Sequence, residues 1–107
     1  MKIEKIEDGE IWFNNGSRLG SRFYPECFEE NYADFEQIED LAWYYDFDED
    51  LIFEKVDTYG FRFGDERQMF FIPCYSIQNG CYSNEIDVIY NGNIVLKSVD
   101  CEIESDY

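Results

Sequence analysis

Four cysteines are the side chains in this sequence best suited to hold a metal ion. Thiolates bind zinc tetrahedrally, and four of them complete a structural site. A chain of 107 residues also has a small core, which a structural metal would reinforce. The alternative is that the cysteines stay free and act as small apolar core side chains. We therefore predict a structural zinc with these candidate ligands: Cys27, Cys74, Cys81 and Cys101.

The carboxylates form no pair that stands out as catalytic. Residues 46–50 read Asp-Phe-Asp-Glu-Asp and resemble the start of a calcium-binding loop. That loop requires glycine where this chain has Leu51, and glutamate where it has Asp57. We interpret the stretch as an acidic connector exposed to solvent.

Catalytic machinery of the common kinds is missing from the sequence. The chain has no histidine, so Ser-His and Cys-His pairs are excluded. Residues 16–20, Gly-Ser-Arg-Leu-Gly, lack the spacing and the lysine of a phosphate-binding loop. We predict that the protein is not an enzyme, although a hydrolase or nuclease that uses carboxylates and a divalent metal stays open.

Net charge is the most unusual property of the chain. It has 25 acidic and 8 basic residues, a formal charge of -17. Solubility needs a net charge of only about 2 to 8 in a small domain, and the excess destabilises the fold by self-repulsion. The excess predicts a basic protein partner, whereas direct binding to nucleic acid or to an anionic membrane is disfavoured.

The predicted partner-binding residues are carboxylates at and after a predicted helix. Such a run can match the charge density of a DNA backbone, although a solvated face is the common alternative. The aromatic residues at 43, 44, 45 and 47 are either anchors for the partner or core residues. The predicted binding residues are Glu29, Glu36, Asp40, Asp46, Asp48, Glu49 and Asp50.

Hydrophobic periodicity predicts one α-helix among several strands. Apolar residues recur at helical spacing through residues 28–44, at Phe28, Tyr32, Phe35, Ile38 and Ala42. Alternation of apolar and polar residues predicts strands near 2–6 and 10–13, and a third strand follows near 17–23. Further strand-like runs lie near 51–56, 59–64, 68–74, 84–90 and 94–103, with a loop at 75–80. Three Asn-Gly pairs, at 15–16, 79–80 and 91–92, mark turns.

These elements predict an α+β fold: an antiparallel, twisted β-sheet with one α-helix packed on a face. The length fits a single domain over residues 1–107. No secretory signal follows Met1, and no window is apolar enough to span a membrane. We therefore expect a cytoplasmic, reducing environment, in which disulfides are rare. The sequence does not determine the oligomeric state.

Two stretches of the chain resemble a group of short phage and prophage proteins. The first is Pro-Glu-Cys-Phe-Glu-Glu-Asn-Tyr-Ala-Asp-Phe at 25–35. The second comprises residues 59–63, 72–75 and 78–83, in which Cys81 replaces a tyrosine that is usual in the group. Cys27 and Cys74 match the group. Small acidic phage proteins of this kind are similar to anti-CRISPR proteins, including type II-A inhibitors of Cas9.

The resemblance implies a function and a location. The protein would bind Cas9 with its guide RNA, on a basic surface of the recognition lobe, and block loading of target DNA. The channel of Cas9 for the RNA–DNA heteroduplex is positively charged, so a carboxylate-rich surface is a natural competitor. The resemblance also favours zinc and places the protein in the host bacterial cytoplasm. The alternative is a phage sponge or other small-ligand binding protein that sequesters a nucleotide immune signal.

Overall fold

The computed structural model describes residues 1–23, 30–78 and 84–105. In these ranges the chain forms eleven strands and two short 3₁₀ helices, Phe35–Gln37 and Asp40–Tyr44. Neither of these described helices has the length and apolar composition that crossing a bilayer requires. The strands are β1 (Ile3–Glu7), β2 (Glu10–Phe13), β3 (Arg18–Arg22), β4 (Glu30–Ala33), β5 (Ile52–Lys55), β6 (Phe61–Gly64), β7 (Met69–Ile72), β8 (Cys74–Gln78), β9 (Glu85–Tyr90), β10 (Asn93–Asp100) and β11 (Glu102–Ser105).

The described strands form three sheets. The largest has the order β1-β2-β3-β9-β10, and all its neighbouring strands are antiparallel. The second has the order β11-β8-β4, in which β8 pairs antiparallel with β4 and parallel with β11. The third is the antiparallel meander β5-β6-β7. The architecture of the described chain is therefore mostly β.

The predicted α+β fold, with one helix packed on a face of a single sheet, is wrong. No α-helix occurs in the described chain, and the described part of the predicted helix 28–44 forms β4 and the two 3₁₀ helices. Extended backbone at Ile38 and Glu39 separates the two short helices. Phe28, the first residue of the predicted apolar stripe, lies outside the described residues.

Two physical effects oppose an α-helix in this segment. Glu30 and Asp34, and likewise Glu36 and Asp40, are four residues apart, a spacing at which like charges repel on a helix. In addition, β8 offers a sheet edge, and β4 pairs with it over its whole length. Tertiary pairing satisfies the backbone of β4 and outweighs the helical periodicity. The apolar positions Phe35, Ile38 and Ala42 are nevertheless buried.

The C-terminal strands also differ from the prediction. The predicted strand 68–74 divides into β7 and the first residue of β8, and residues 75–78, predicted as part of a loop, form the rest of β8. The predicted strand 94–103 is interrupted at Cys101, so that β10 stays in the five-stranded sheet and β11 joins the second sheet beside β8. The turn at Asn91-Gly92 is confirmed, and both residues have positive φ (50° and 84°), as a tight hairpin turn requires.

Aromatic rings fill the space between the sheets. Phe13 from β2 makes an edge-to-face contact with Phe63 from β6, at a centroid distance of 6.5 Å. Phe35, from the first 3₁₀ helix, makes a similar contact with Phe61 at 6.1 Å. All four rings are buried. Large rings bury much area per residue ordered, which suits a chain of this length.

Gly60 is a position at which we expect only glycine to be tolerated. Its φ is +95°, its N–H donates to the carbonyl oxygen of Asp100 at 2.8 Å, and an added Cβ would meet the carbonyl oxygen of Ile72. We expect Gly60→Ala to lower the free energy of unfolding by about 2 kcal/mol, from backbone strain plus steric overlap. Gly92→Ala is the matched control, because Gly92 has φ +84° but open space around it. Urea denaturation should show a loss of about 1 kcal/mol there, and equal losses in both variants would contradict the expected overlap.

Candidate functional site: an anchored acidic loop

Four carboxylates project from the loop between the second 3₁₀ helix and β5. We call residues 46–50 the acidic loop; it contains Asp46, Asp48, Glu49 and Asp50, all of which are exposed. The aromatic residues Tyr45 and Phe47 alternate with the first two carboxylates and point inward. This alternation leaves the side chains of Asp46 and Asp48 exposed by 74% and 64%, respectively.

Phe47 anchors the middle of the acidic loop in the core. It is 2% exposed and its ring packs against those of Phe13 (5.8 Å), Phe63 (5.5 Å) and Phe70 (5.4 Å). Tyr45 packs on Phe47 at 4.7 Å between centroids. A loop that buries an aromatic ring at its centre holds its flanking residues in a defined position.

Asp65 ties the acidic loop to the β6–β7 hairpin. Its carboxylate is buried and accepts hydrogen bonds from the Tyr45 hydroxyl (2.7 Å) and from the backbone N–H of Asp48 (3.1 Å). It also accepts from the backbone N–H groups of Arg67 (2.9 Å) and Gln68 (3.2 Å), which close the hairpin turn. One side chain therefore orders both the turn and the start of the acidic loop.

The charge of Asp65 is stabilised although the group is buried. Burial alone would raise the pKa of Asp65, but the hydrogen bonds from Tyr45, Asp48 and Arg67 outweigh it and hold the pKa well below its usual range. The Arg67 guanidinium lies 3.1 Å from the carboxylate, and this hydrogen bond raises the pKa of Arg67. Asp65 is thus ionised throughout the neutral range and serves a structural role.

Two cationic groups contact the acidic loop. The amino group of Met1 donates to Oδ1 of Asp46 (3.0 Å) and to the carbonyl oxygen of Phe47 (2.6 Å). The hydrogen bond to Asp46 lowers the pKa of its carboxyl group most, and the positive charge of the amino group lowers it further. Arg67 lies 3.7 Å from Asp48 and donates to the carbonyl oxygen of Asp46. Glu49 and Asp50 make no ion pair with a described residue, so the far end of the loop keeps its charge uncompensated.

The second 3₁₀ helix exposes large apolar side chains beside the acidic loop. Leu41 is 57% exposed, Tyr44 is 79% exposed and Trp43 is also exposed, whereas Ala42 between them is buried. The chain therefore presents apolar and acidic side chains within one continuous stretch. Tryptophan and tyrosine are among the residues that most often anchor protein–protein interfaces.

The structure places most of the predicted binding residues on this stretch. Glu36 lies on the first 3₁₀ helix and Asp40 on the second, and both are exposed. The other four described residues are the carboxylates of the acidic loop, and Glu29 lies outside the described residues. Among the predicted anchors, Trp43 and Tyr44 face solvent, while Tyr45 is half-buried and Phe47 is buried.

The described chain brings together two of the four predicted zinc ligands. Cys74 and Cys101 are free and buried, and each thiol donates to a backbone carbonyl oxygen, of Ile72 and Val99 respectively, at 3.9 Å. The neighbouring Cys101 thiol, followed by burial, raises the pKa of the Cys74 thiol. Two adjacent thiols fit half of a tetrahedral zinc site. No group of three or more candidate ligands forms among the described residues, and Cys27 and Cys81 lie outside them.

The zinc prediction has a direct test. A structural site that includes Cys74 and Cys101 requires about one zinc per chain in protein purified without added metal, and Cys74→Ser should remove it and lower the thermal unfolding temperature. Metal content by plasma mass spectrometry, measured beside circular dichroism, provides both values. A metal-free native protein with the same unfolding temperature would contradict the prediction and leave the pair as core thiols.

Sequence reasoning missed Asp65, the residue that orders the site. The predicted strands 59–64 and 68–74 leave Asp65 in the connection between them, where no role was predicted for it. The usable signal was the residue type, because aspartate in a turn accepts hydrogen bonds from backbone N–H groups two and three residues further on. The contacts with Tyr45 and Asp48, by contrast, join residues 20 and 17 positions apart.

Comparisons with known proteins found no match, so the function has to be inferred from the fold and from this site. No protein-family model matches the chain, and no curated protein or solved structure matches it significantly.

Proposed function

We propose that this protein binds a basic surface of a nucleic-acid-handling protein and blocks it, and that the target is Cas9 loaded with its guide RNA. The observation that carries the proposal is the acidic loop, which is held in place by Phe47 and Asp65 and lies beside exposed apolar side chains. The resemblance to short phage proteins of the anti-CRISPR type, at residues 25–35, 59–63, 72–75 and 78–83, supports the choice of Cas9.

The charge density of the loop supports competition with a nucleic-acid backbone. The chain from Asp46 to Asp50 spans at most roughly 14 Å, so the three intervals between the four carboxylates average at most about 5 Å. A single DNA strand has one phosphate per about 3.4 Å of helix axis. A basic groove that accepts phosphates at that spacing is therefore suited to accept this loop.

Anchoring of the loop supports affinity. Ordering a flexible loop on binding costs conformational entropy, and a loop that is already fixed avoids most of that cost. The exposed Leu41, Trp43 and Tyr44 add apolar area that a partner can bury. Charge provides fast, salt-sensitive association, and the apolar side chains provide a contact that salt does not screen.

A cleavage assay with two orders of addition tests the proposal. Cas9 with guide RNA is mixed with the protein before, and separately after, the target DNA. We expect protection of the DNA only when the protein is added first, because an occupied channel prevents loading. Failure to protect in either order, across several Cas9 types, would remove Cas9 as the target.

The salt dependence of binding tests the electrostatic part separately. The screening length falls from about 10 Å at 0.1 M salt to about 3 Å at 1 M. We expect affinity for the target to fall at least tenfold over this range. Affinity that is unchanged in 1 M salt would contradict a role for the acidic loop.

The nucleotide-sponge alternative stays a prediction without an observation in its favour. Among the described residues, the cleft that contains Arg18 also contains the carboxylate of Glu10, which disfavours an anionic ligand.

A further inference from the structure

A second feature of the surface, separate from the acidic loop, is a cleft between the second and third sheets. Its volume is about 310 Å³, at the lower limit of small-molecule sites and large enough for one side chain. Three segments of the chain converge on it, from the β5–β6 connection, the β7–β8 junction and the start of β11, and Gln37 of the first 3₁₀ helix completes the lining. Its principal lining residues are Gln37, Tyr59, Phe71, Pro73, Tyr75 and Glu102.

The alternation of side chains across the β7–β8 junction builds one wall. Ile72 and Cys74 are buried, whereas Phe71, Pro73 and Tyr75 point the other way, as successive residues of extended chain do. The chain therefore presents two aromatic rings and a proline along one side of a short segment. Phe71 remains 45% exposed.

The other two segments are positioned by backbone contacts. Glu102 pairs with Tyr75 in the parallel register of β11 and β8, which places its carboxylate beside the ring. Tyr59, also 45% exposed, is held by the hydrogen bond from Gly60 to Asp100. The glycine lets the Phe71 ring lie against the backbone, because an added Cβ would be 3.0 Å from that ring.

The chemistry of the cleft matches a cation. Its described lining combines aromatic rings with a carboxylate and includes no lysine or arginine. Tyr32 stacks at a tilt on Tyr75, with 5.8 Å between the ring centroids. Glu104 lies two residues after Glu102 in β11, so its side chain is on the same face of that strand. Aromatic faces and carboxylates both attract a guanidinium or an ammonium group.

We propose that this cleft receives an arginine side chain of the basic partner. Arginine is favoured over lysine because its planar guanidinium stacks on rings and is weakly hydrated. The inference rests on the proposed function for the identity of the partner, but the cleft residues are different from those of the acidic loop. Binding would cover Tyr59 and Phe71, which are otherwise large apolar side chains exposed to water.

Titration of the full-length protein with a short arginine peptide, followed by two-dimensional NMR, tests the cleft directly. The matched probe is the same peptide with citrulline, which has the shape of arginine without its charge. We expect chemical-shift changes centred on Tyr59, Phe71, Tyr75 and Glu102 with the arginine peptide and at least fivefold weaker binding of the citrulline peptide. Equal binding of both peptides, or shift changes elsewhere only, would overturn the inference.

Two variants sharpen the test. Phe71→Leu keeps an apolar side chain at an exposed position but removes the ring, and Glu102→Gln removes the charge of an exposed side chain. Each is expected to weaken binding of the arginine peptide about fivefold, whereas Glu4→Gln, at an exposed position outside both the cleft and the acidic loop, should leave it unchanged. Full peptide affinity in both cleft variants would overturn the inference.

The outcomes separate the two proposals. Arginine-specific shifts at the cleft, in a protein that fails to protect DNA from Cas9, would support the cleft and reject the target. Inhibition of Cas9 that Phe71→Leu and Glu102→Gln leave unchanged, with no shifts at the cleft, would reject the cleft and support the acidic loop alone.

Discussion

Substitution of Asp65 by asparagine is expected to lower the free energy of unfolding by about 3 kcal/mol at neutral pH. The amide cannot accept all the hydrogen bonds that the carboxylate accepts from Tyr45, Asp48, Arg67 and Gln68. It also leaves the Arg67 guanidinium without its buried partner. The loss should therefore include both the β6–β7 turn and the attachment of the acidic loop.

The effect of this substitution should depend on pH. The pKa of Asp65 is lowered in the folded state, so its carboxylate stabilises the fold fully above the unfolded-state pKa of about 3.9. That stabilisation is lost progressively as the pH falls below about 4 toward the folded-state pKa. The difference between the parent protein and Asp65→Asn should therefore shrink by about 1 kcal/mol from pH 6 to pH 3.

Urea denaturation of both proteins at pH 6 and pH 3 checks this prediction. Protonation of exposed carboxylates relieves repulsion at low pH, but it affects the parent and the variant alike and cancels in their difference. Asp50→Asn is the matched control, because Asp50 is exposed; we expect it to change stability by less than about 0.5 kcal/mol at either pH. A difference for Asp65→Asn that stays constant with pH would contradict the assigned role.

Neutralising three of the four carboxylates of the acidic loop is expected to slow association with a basic partner about tenfold at 0.1 M salt. The variant combines Asp48→Asn, Glu49→Gln and Asp50→Asn, all at exposed positions. The anchors Phe47 and Asp65 remain, so the loop keeps its position while it loses charge. Surface plasmon resonance with immobilised Cas9–guide RNA measures the association rate constant.

A second variant with the same net charge provides the control. Glu4→Gln, Asp57→Asn and Glu85→Gln also remove three negative charges at exposed positions, but outside the loop. We expect this variant to associate within about threefold of the parent rate, since steering depends most on charges at the contact. Equal slowing in both variants would show that net charge, and no particular surface, drives the encounter.

Local sequence pattern determined the strands of the first and third sheets. Alternation and strand-like apolar runs predicted segments that match β1 to β3, β5 to β7 and β9, and Asn91-Gly92 predicted its hairpin turn. In these two sheets, every pair of adjacent strands except β3 and β9 is also consecutive in the sequence. Short-range turn chemistry and period-two burial are sufficient for such pairings.

The second sheet could not be predicted in this way, because its pairings are distant in sequence. β4 and β8 are joined through residues such as Tyr32 and Tyr75, and β8 is joined to β11. A segment with helical periodicity became an edge strand and two 3₁₀ helices because β8 provided partners for its backbone. The pattern identified Phe35, Ile38 and Ala42 as buried but assigned them to the wrong element.

The same division applies to the functional surfaces. By itself, the sequence determined the large negative charge, the aromatic core and the run of acids at 46–50, since these are properties of composition and order. Only the tertiary structure decided that Phe47 points inward, that Asp65 anchors the loop, and that Tyr59, Phe71 and Glu102 share a cleft. Those arrangements depend on contacts between residues that are far apart in the chain. Local propensities do not include the free energy of such contacts.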